Sequence, residues 1–292
     1  TDAESPAAER VDDGLPQSLE ACLRNYGLRY LKVKLCNDRE RDLARLRAIA
    51  AAVERYEAQG GGPVMYTLDG NEQYRHVDEL ADLLDAMEKD PALRALGERV
   101  VYIEQPLQRD VALDAARLAG LERVRRRHPM IIDESDADFD AYKTALALGY
   151  DGTSHKNCKG IIRSLAAAAR NRRHRASTGR PAFLSGEDLA SIGPVSMLQD
   201  LAVAAALGIA HVERNGHHYF RGLSHLAPAD AEAVAAVHSD LYERRGGIVT
   251  LKIEDGRMAC ASLHGPGLGA RHRPAVETWQ PWLEFDPAAL SA

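Results

Sequence analysis

Residues 30–35, Tyr30-Leu31-Lys32-Val33-Lys34-Leu35, have the two-residue period of a strand. That period places Lys32 and Lys34 together on one face, while Leu31, Val33 and Leu35 face the other way. A strand covered on both faces normally reads as unbroken Val, Ile and Leu, so two ammonium groups there are costly unless anions or a task offset them. Lysine is also scarce. Only seven of the 37 basic residues are lysine, and four of those seven form the pairs Lys32/Lys34 and Lys156/Lys159. Arginine keeps its proton inside a protein, whereas a lysine crowded by other cations can act as a base near neutral pH. The choice of residue points to proton transfer.

Outward from this strand, strands and helices alternate. Helices are expected at 15–26, between Pro16 and Gly27, and at 38–59, where Leu43, Leu46, Ile49 and Val53 recur at helical spacing before Gly60-Gly61-Gly62. Further helices are expected at 77–99 with a break at Asp90-Pro91, and at 111–127, 139–148, 161–175 and 195–207. Between them lie apolar runs at 63–68, 100–104, 130–134, 152–156, 181–185 and 209–213. Seven parallel strands joined by helices, at a repeat of about 25–35 residues, suit a (β/α) barrel. A doubly wound open sheet is the rival, but polar residues end nearly every strand, as a barrel mouth requires and a single switch point does not. After a helix at 228–244, residues 247–253 and 258–263 predict an antiparallel hairpin about Asp255-Gly256. A closed eight-stranded barrel needs one more strand, expected before Thr1. The expected fold is α/β, a TIM-like barrel lacking its first strand. Residues 1–14 are expected to form a loop entering the barrel, 15–245 the barrel, and 246–292 the hairpin and tail.

Composition narrows the function. A chain of 292 residues with 45% hydrophobic and 27% charged residues suits one soluble domain, and no apolar run approaches the ~20 residues that span a bilayer. No membrane role is expected. The net charge of −6 argues against nucleic acid, since the basic runs at 125–128 and 170–175 each end an expected helix, where cations complement the dipole. Cys22, Cys36, Cys158 and Cys260 show no paired spacing, which suits a reducing compartment such as the cytoplasm. Gly265-Pro266-Gly267-Leu268-Gly269 follows a hairpin with no helix after it, so no dinucleotide cofactor is expected.

Asp69, Glu104 and Asp133 fall at the ends of three successive expected strands. In a parallel barrel those ends share one mouth, so the three carboxylates converge. Hard oxygen donors with no Cys or His beside them select Mg²⁺ rather than zinc. Asn71 and Glu134 are expected to orient these ligands. His155 is turned outward by alternation and is expected to pack between barrel and helix. Lys159, just beyond the strand, is expected to be a solvated or structural lysine. Glu213 and Asn215 share a face and are expected either to read the distal part of a substrate or to form a salt-bridged rim. His217-His218 point apart, and no third ligand for a second metal stands out.

Lys32-Val33-Lys34, Asp69, Ile103-Glu104-Gln105-Pro106, Asp133-Glu134-Ser135 and Lys156, in that order, resemble the enolase superfamily in its muconate-lactonizing-enzyme-like arrangement. The resemblance covers nearly the whole chain. It implies a (β/α)₇β barrel that binds Mg²⁺ through Asp69, Glu104 and Asp133. It also implies Lys34 and Lys156 as an acid/base pair acting on the α-proton of a carboxylate, with Lys32 beside the substrate carboxylate. The mandelate-racemase-like branch carries an Asp and a His where this chain has Lys156 and Ser185-Gly186-Glu187-Asp188, so a His/Asp base is not expected. Glu187 is a candidate substrate-binding or supporting residue.

The resemblance further implies an N-terminal capping domain and a first barrel strand outside this sequence, so the chain alone is expected to be an incomplete enzyme. Its partners are expected to be a small carboxylate and, for the full-length protein, further copies of itself. Racemisation or epimerisation, cycloisomerisation and β-elimination would use the same lysines. Two alternatives are a Schiff-base aldolase using Lys156 and a non-catalytic carboxylate-binding barrel.

Overall fold

The computed structural model describes residues 11, 13–187, 191–214, 216–266, 268–272 and 275. Six parallel strands form one sheet in chain order: β1 Tyr30–Lys34, β2 Met65–Asp69, β3 Val100–Glu104, β4 Met130–Ile132, β5 Gly152–His155 and β6 Phe183–Gly186. The helices are α1 Leu19–Tyr26, α2 Arg39–Ala58, α3 Val77–Lys89, α4 Arg94–Glu98, α5 Arg109–Ala112, α6 Leu121–Arg125, α7 Ala141–Leu148, α8 Ile161–Thr178, α9 Val195–Ala206, α10 Gly216–Tyr219 and α11 Pro228–Val237. Local chemistry sets their limits. Ser18 and Asp38 cap α1 and α2 by accepting from the N–H groups of Ala21 and Arg41, and Gly27 ends α1 in the left-handed region.

The sheet curls. Although β1 and β6 lie at opposite ends of the strand order, Lys32 Nζ on β1 is 2.6 Å from Oε1 of Glu187, just after β6. Tyr102 on β3 and Phe183 on β6 also meet across the interior, their ring centroids 5.6 Å apart. The barrel-type α/β architecture is therefore as expected. One buried apolar cluster lies between β1–β5 and their helices (Leu46, Leu68, Leu80, Ile103, Ile132). A second joins Leu201 on α9 and Val234 on α11 to Val249 and Leu251.

Four expectations are corrected. Residues 209–213 do not form a seventh strand; only Val212 bridges Gly186, where a Cβ would meet Val212 Cγ1 at 2.4 Å. The antiparallel pair is β7 Tyr242–Arg245 with β8 Ile248–Leu251, turning at Gly246-Gly247, both with positive φ. The Asp255-Gly256 turn makes only the bridge Glu254↔Arg257, because Gly256 N–H docks on Tyr26 O at the end of α1. The helix expected at 228–244 accordingly stops at Val237, freeing Tyr242–Arg245 to pair. The helix expected at 111–127 is broken where Asp114 caps a 3₁₀ turn and Gly120 adopts φ 86°. Between β1 and residues 209–212 lies a cleft of about 720 Å³, lined by Tyr30, Met65, Ile209, His211 and Met258 among others.

Candidate active site

Parallel pairing aligns the strand ends. Lys34 pairs with Asp69, and Asp69 pairs with Glu104, so β1, β2 and β3 present their charges side by side. Gly70 makes this approach feasible. A Cβ there would lie 2.4 Å from Pro106 Cα, and the Gly70 N–H donates to Glu104 O at 2.9 Å. Asp133 follows β4, Lys156 follows β5 and Glu187 follows β6. Six consecutive strands thus contribute to one mouth.

The two lysines of β1 converge on one acid, both ammonium groups reaching Asp69 Oδ2. Lys32 turns into the acids: its Nζ is 3.0 Å from Asp69 Oδ2, 3.0 Å from Glu104 Oε2, 2.6 Å from Glu187 Oε1 and 3.3 Å from Glu213 Oε2. Burial opposes its charge, yet Glu104, Glu187, Asp69 and Glu213 outweigh burial and hold the ammonium well above its ordinary range. Lys34 stays at the rim with 45% of its side chain exposed, 2.5 Å from Asp69 Oδ2 and 3.5 Å from Asn71 Oδ1.

Lys156 is enclosed. Its Nζ lies 2.5 Å from Asp133 Oδ2 and 2.7 Å from Glu187 Oε2. Burial again opposes the charge, but Glu187 and Asp133 raise its affinity for the proton. The two glutamates diverge. Glu104 is pushed well up by burial and then by the neighbouring Glu187 carboxylate; Glu187 is held low, because Glu104 and the ammonium groups of Lys32 and Lys156 override burial. Asp133 is likewise held low against burial by Lys159 and Lys156. Glu134, raised by burial and by Asp133, accepts a 2.7 Å hydrogen bond from Asn71 Nδ2.

One contributor, Gln105, was given no role by the sequence, and a second, Lys159, no tie to the acids. Gln105, fully buried beside Glu104, accepts the Asp133 and Ser135 N–H groups on Oε1 at 2.7 and 3.1 Å, thereby fixing the turn after β4. Its signal was a long polar side chain following a strand-end acid. Lys159 takes the structural rather than the solvated alternative: its Nζ is 2.8 Å from Asp133 Oδ1 and 2.8 Å from Ser154 Oγ. A 3₁₀ turn at Asn157–Lys159 carries it, and at three residues per turn Lys156 and Lys159 return to one side.

His155 packs outward as alternation required, with Nδ1 2.8 Å from Ser164 Oγ. His217 and His218 stack edge to face at 4.3 Å with Tyr26 beside them, remote in role from the acids. Asn215 and Asp188 lie outside the described residues. The 720 Å³ cleft is lined by none of the charged residues of the mouth.

The mouth fits a hard divalent cation. Asp69, Glu104 and Glu187 can each place an oxygen within 4.8 Å of the others, and neither oxygen of fully buried Glu104 receives a well-formed hydrogen bond. All the donors are carboxylates, without His or Cys. Asp133, the third acid expected, stands beside this trio with Oδ2 on Lys156 and Oδ1 on Lys159.

The enolase C-terminal domain-like family matches residues 15–276. The chain belongs to that family. Among solved structures, this enolase C-terminal domain-like chain is similar to a protein assigned as a mandelate racemase from Bordetella bronchiseptica RB50, solved with 2-oxoglutarate and phosphate. Identity is 19%, coverage 86% of this chain and 55% of that one, and the TM-score 0.54. It is also similar to an enolase from Streptomyces coelicolor (21% identity, 85% and 52% coverage, TM-score 0.52). A further similar structure is a dipeptide epimerase from Cytophaga hutchinsonii with Mg and a dipeptide (19% identity, 66% and 46% coverage, TM-score 0.46). The chain spans about half the length of these structures. None of the curated proteins matches it.

Proposed function

We propose that this enolase C-terminal domain-like chain carries the chemical centre of a Mg²⁺-dependent enzyme that removes the α-proton of a small carboxylate. Racemisation, epimerisation, cycloisomerisation or β-elimination would complete the reaction. The observation that carries this reading is the meeting, at one mouth, of lysines from the two flanks of an acid cluster. Lys34 comes from β1 and Lys156 from the end of β5, with Asp69, Glu104 and Asp133 on the strands between. Asp69 and Glu104 would hold the cation together with Glu187, whose oxygen lies within reach of both, and with Asp133 at the next strand end. Bound there, Mg²⁺ would supply positive charge to the carboxylate oxygens as they gain electron density.

The lysines divide the proton work. Lys156, between Asp133 and Glu187, and Lys34, on Asp69 and open to the rim, would each serve one face of the α-carbon. An enediolate formed between them could be reprotonated on the opposite face or could expel a β-group. Lys32 is deep enough to pair with a substrate carboxylate while bracing Glu104 and Glu187. Glu213, 3.3 Å from Lys32, would mark the far side of the substrate.

A Schiff-base aldolase would use Lys156 as its nucleophile and give the acid cluster no cation to hold. A non-catalytic carboxylate-binding barrel predicts affinity without turnover. The test is a screen of acid sugars, hydroxy acids, N-acyl amino acids and dipeptides for α-proton exchange in D₂O with Mg²⁺, using the full-length protein. Exchange supports the proposal; binding without exchange favours the non-catalytic reading; chelator-insensitive borohydride trapping with a carbonyl compound favours the aldolase.

A further inference from the structure

We propose that Lys159 is a positioning residue for Asp133, fixing Oδ1 so that Asp133 presents Oδ2 to the site. The inference rests on Asp133 being a cation ligand, as proposed above. Strands β4 and β5 pair at only two positions, Ile131↔Gly152 and Ile132↔Thr153. The next residues on the two strands are Asp133 and Ser154, and Lys159 spans them. Its Nζ donates to Asp133 O at 2.9 Å, to Ser154 Oγ at 2.8 Å and more weakly to Ser154 O at 3.3 Å, while sitting 2.8 Å from Asp133 Oδ1. An ammonium has three protons, so these oxygens occupy it fully. Its side chain is 13% exposed, and Asp136 Oδ2 lies at 3.8 Å.

The two oxygens of Asp133 therefore have different partners. Oδ1 is tied to the scaffold by Lys159 and by the Ser154 hydroxyl, which also donates to it. Oδ2 meets Lys156, a side chain that must move during a proton transfer. Oδ2 is thus the oxygen that can exchange a lysine for a cation while Oδ1 stays anchored. Groups that orient a metal ligand from behind typically contribute 10- to 100-fold to metal affinity.

The experiment is Mn²⁺ titration of the whole chain, followed by the electron paramagnetic resonance signal of the free ion, with thermal unfolding in EDTA measured alongside. Lys159→Met should weaken Mn²⁺ binding by about tenfold or more. Lys159→Gln, which keeps an amide donor but no charge, should fall between Lys159→Met and wild type, and is read in the same way should Lys159→Met fail to unfold cooperatively. Ser154→Ala, which leaves the ammonium in place, should weaken binding less than Lys159→Met. A folded Lys159 variant that binds Mn²⁺ as tightly as wild type, even with a lowered melting temperature, would reduce Lys159 to a structural staple and overturn the proposal. Absence of Mn²⁺ binding by the wild-type protein would instead remove the cation reading on which it rests.

Discussion

Lys34 and Lys156 both reach the mouth, in different surroundings. Lys156 is enclosed by Asp133 and Glu187, while Lys34 keeps 45% of its side chain in solvent. Replacing either by Met preserves much of the volume and removes one proton carrier. If the enzyme interconverts stereoisomers, each single variant should keep α-proton exchange of one isomer and lose about 10²- to 10⁴-fold for the other, measured by NMR in D₂O. Unchanged exchange of both isomers in both variants would exclude a two-lysine mechanism. At this scale the sequence was readable where alternation governs, as for Lys32, Lys34 and His155, whose directions follow from strand period. It was not readable for Lys159 and Gln105, whose side chains act beyond strand ends, where a 3₁₀ turn and a positive φ set direction instead.

The elements are positioned by close backbone approaches at least as much as by hydrophobic pattern. Gly70 is the clearest case, since a methyl group there would press on Pro106 Cα at 2.4 Å. Gly70→Ala should destabilise the fold by about 1–3 kcal/mol and weaken Mg²⁺ binding, because relief of the clash separates Asp69 from Glu104. Chemical denaturation with parallel cation titration checks both effects, and unchanged values in both would show that the loop yields freely. The same emphasis explains which elements the sequence revealed. Apolar runs ending in an acid located β2, β3 and β4 well. The hairpin was misplaced because two glycine-containing turns, Gly246-Gly247 and Asp255-Gly256, offer the same local conformation, and only contact of the second with Tyr26 O decides between them. The segment at 209–213 has a strand's composition, yet among the described residues it pairs only through the Gly186–Val212 bridge.

For the whole molecule, burial of imidazoles makes acid a general threat. His217, nearly fully buried with neither ring nitrogen hydrogen-bonded, is pushed down to about 3 by burial and then by His218, Arg214 and Arg245. Its folded-state value lies below the unfolded one of about 6.5, so the unfolded chain binds the proton more readily. The stability it preserves is complete above about pH 6.5 and is lost progressively as pH falls toward 3, at up to about 1.4 kcal/mol per pH unit. A His217→Leu variant should therefore show a shallower loss of unfolding free energy between pH 6.5 and 4 than wild type, and equal slopes would contradict the assignment. Cation binding should act in the opposite direction. Mg²⁺ at a hundred times its dissociation constant should add about 2.7 kcal/mol to stability, reversed by EDTA. The central claim is that one mouth joins a cation held by carboxylates to lysines acting on an α-proton. Its most direct measurement is the rate of deuterium incorporation at the α-carbon of a bound carboxylate, in wild-type protein with and without Mg²⁺. The account predicts exchange that requires Mg²⁺ and is abolished when Lys34 and Lys156 are both replaced by Met; exchange that persists in EDTA or in that double variant would contradict it.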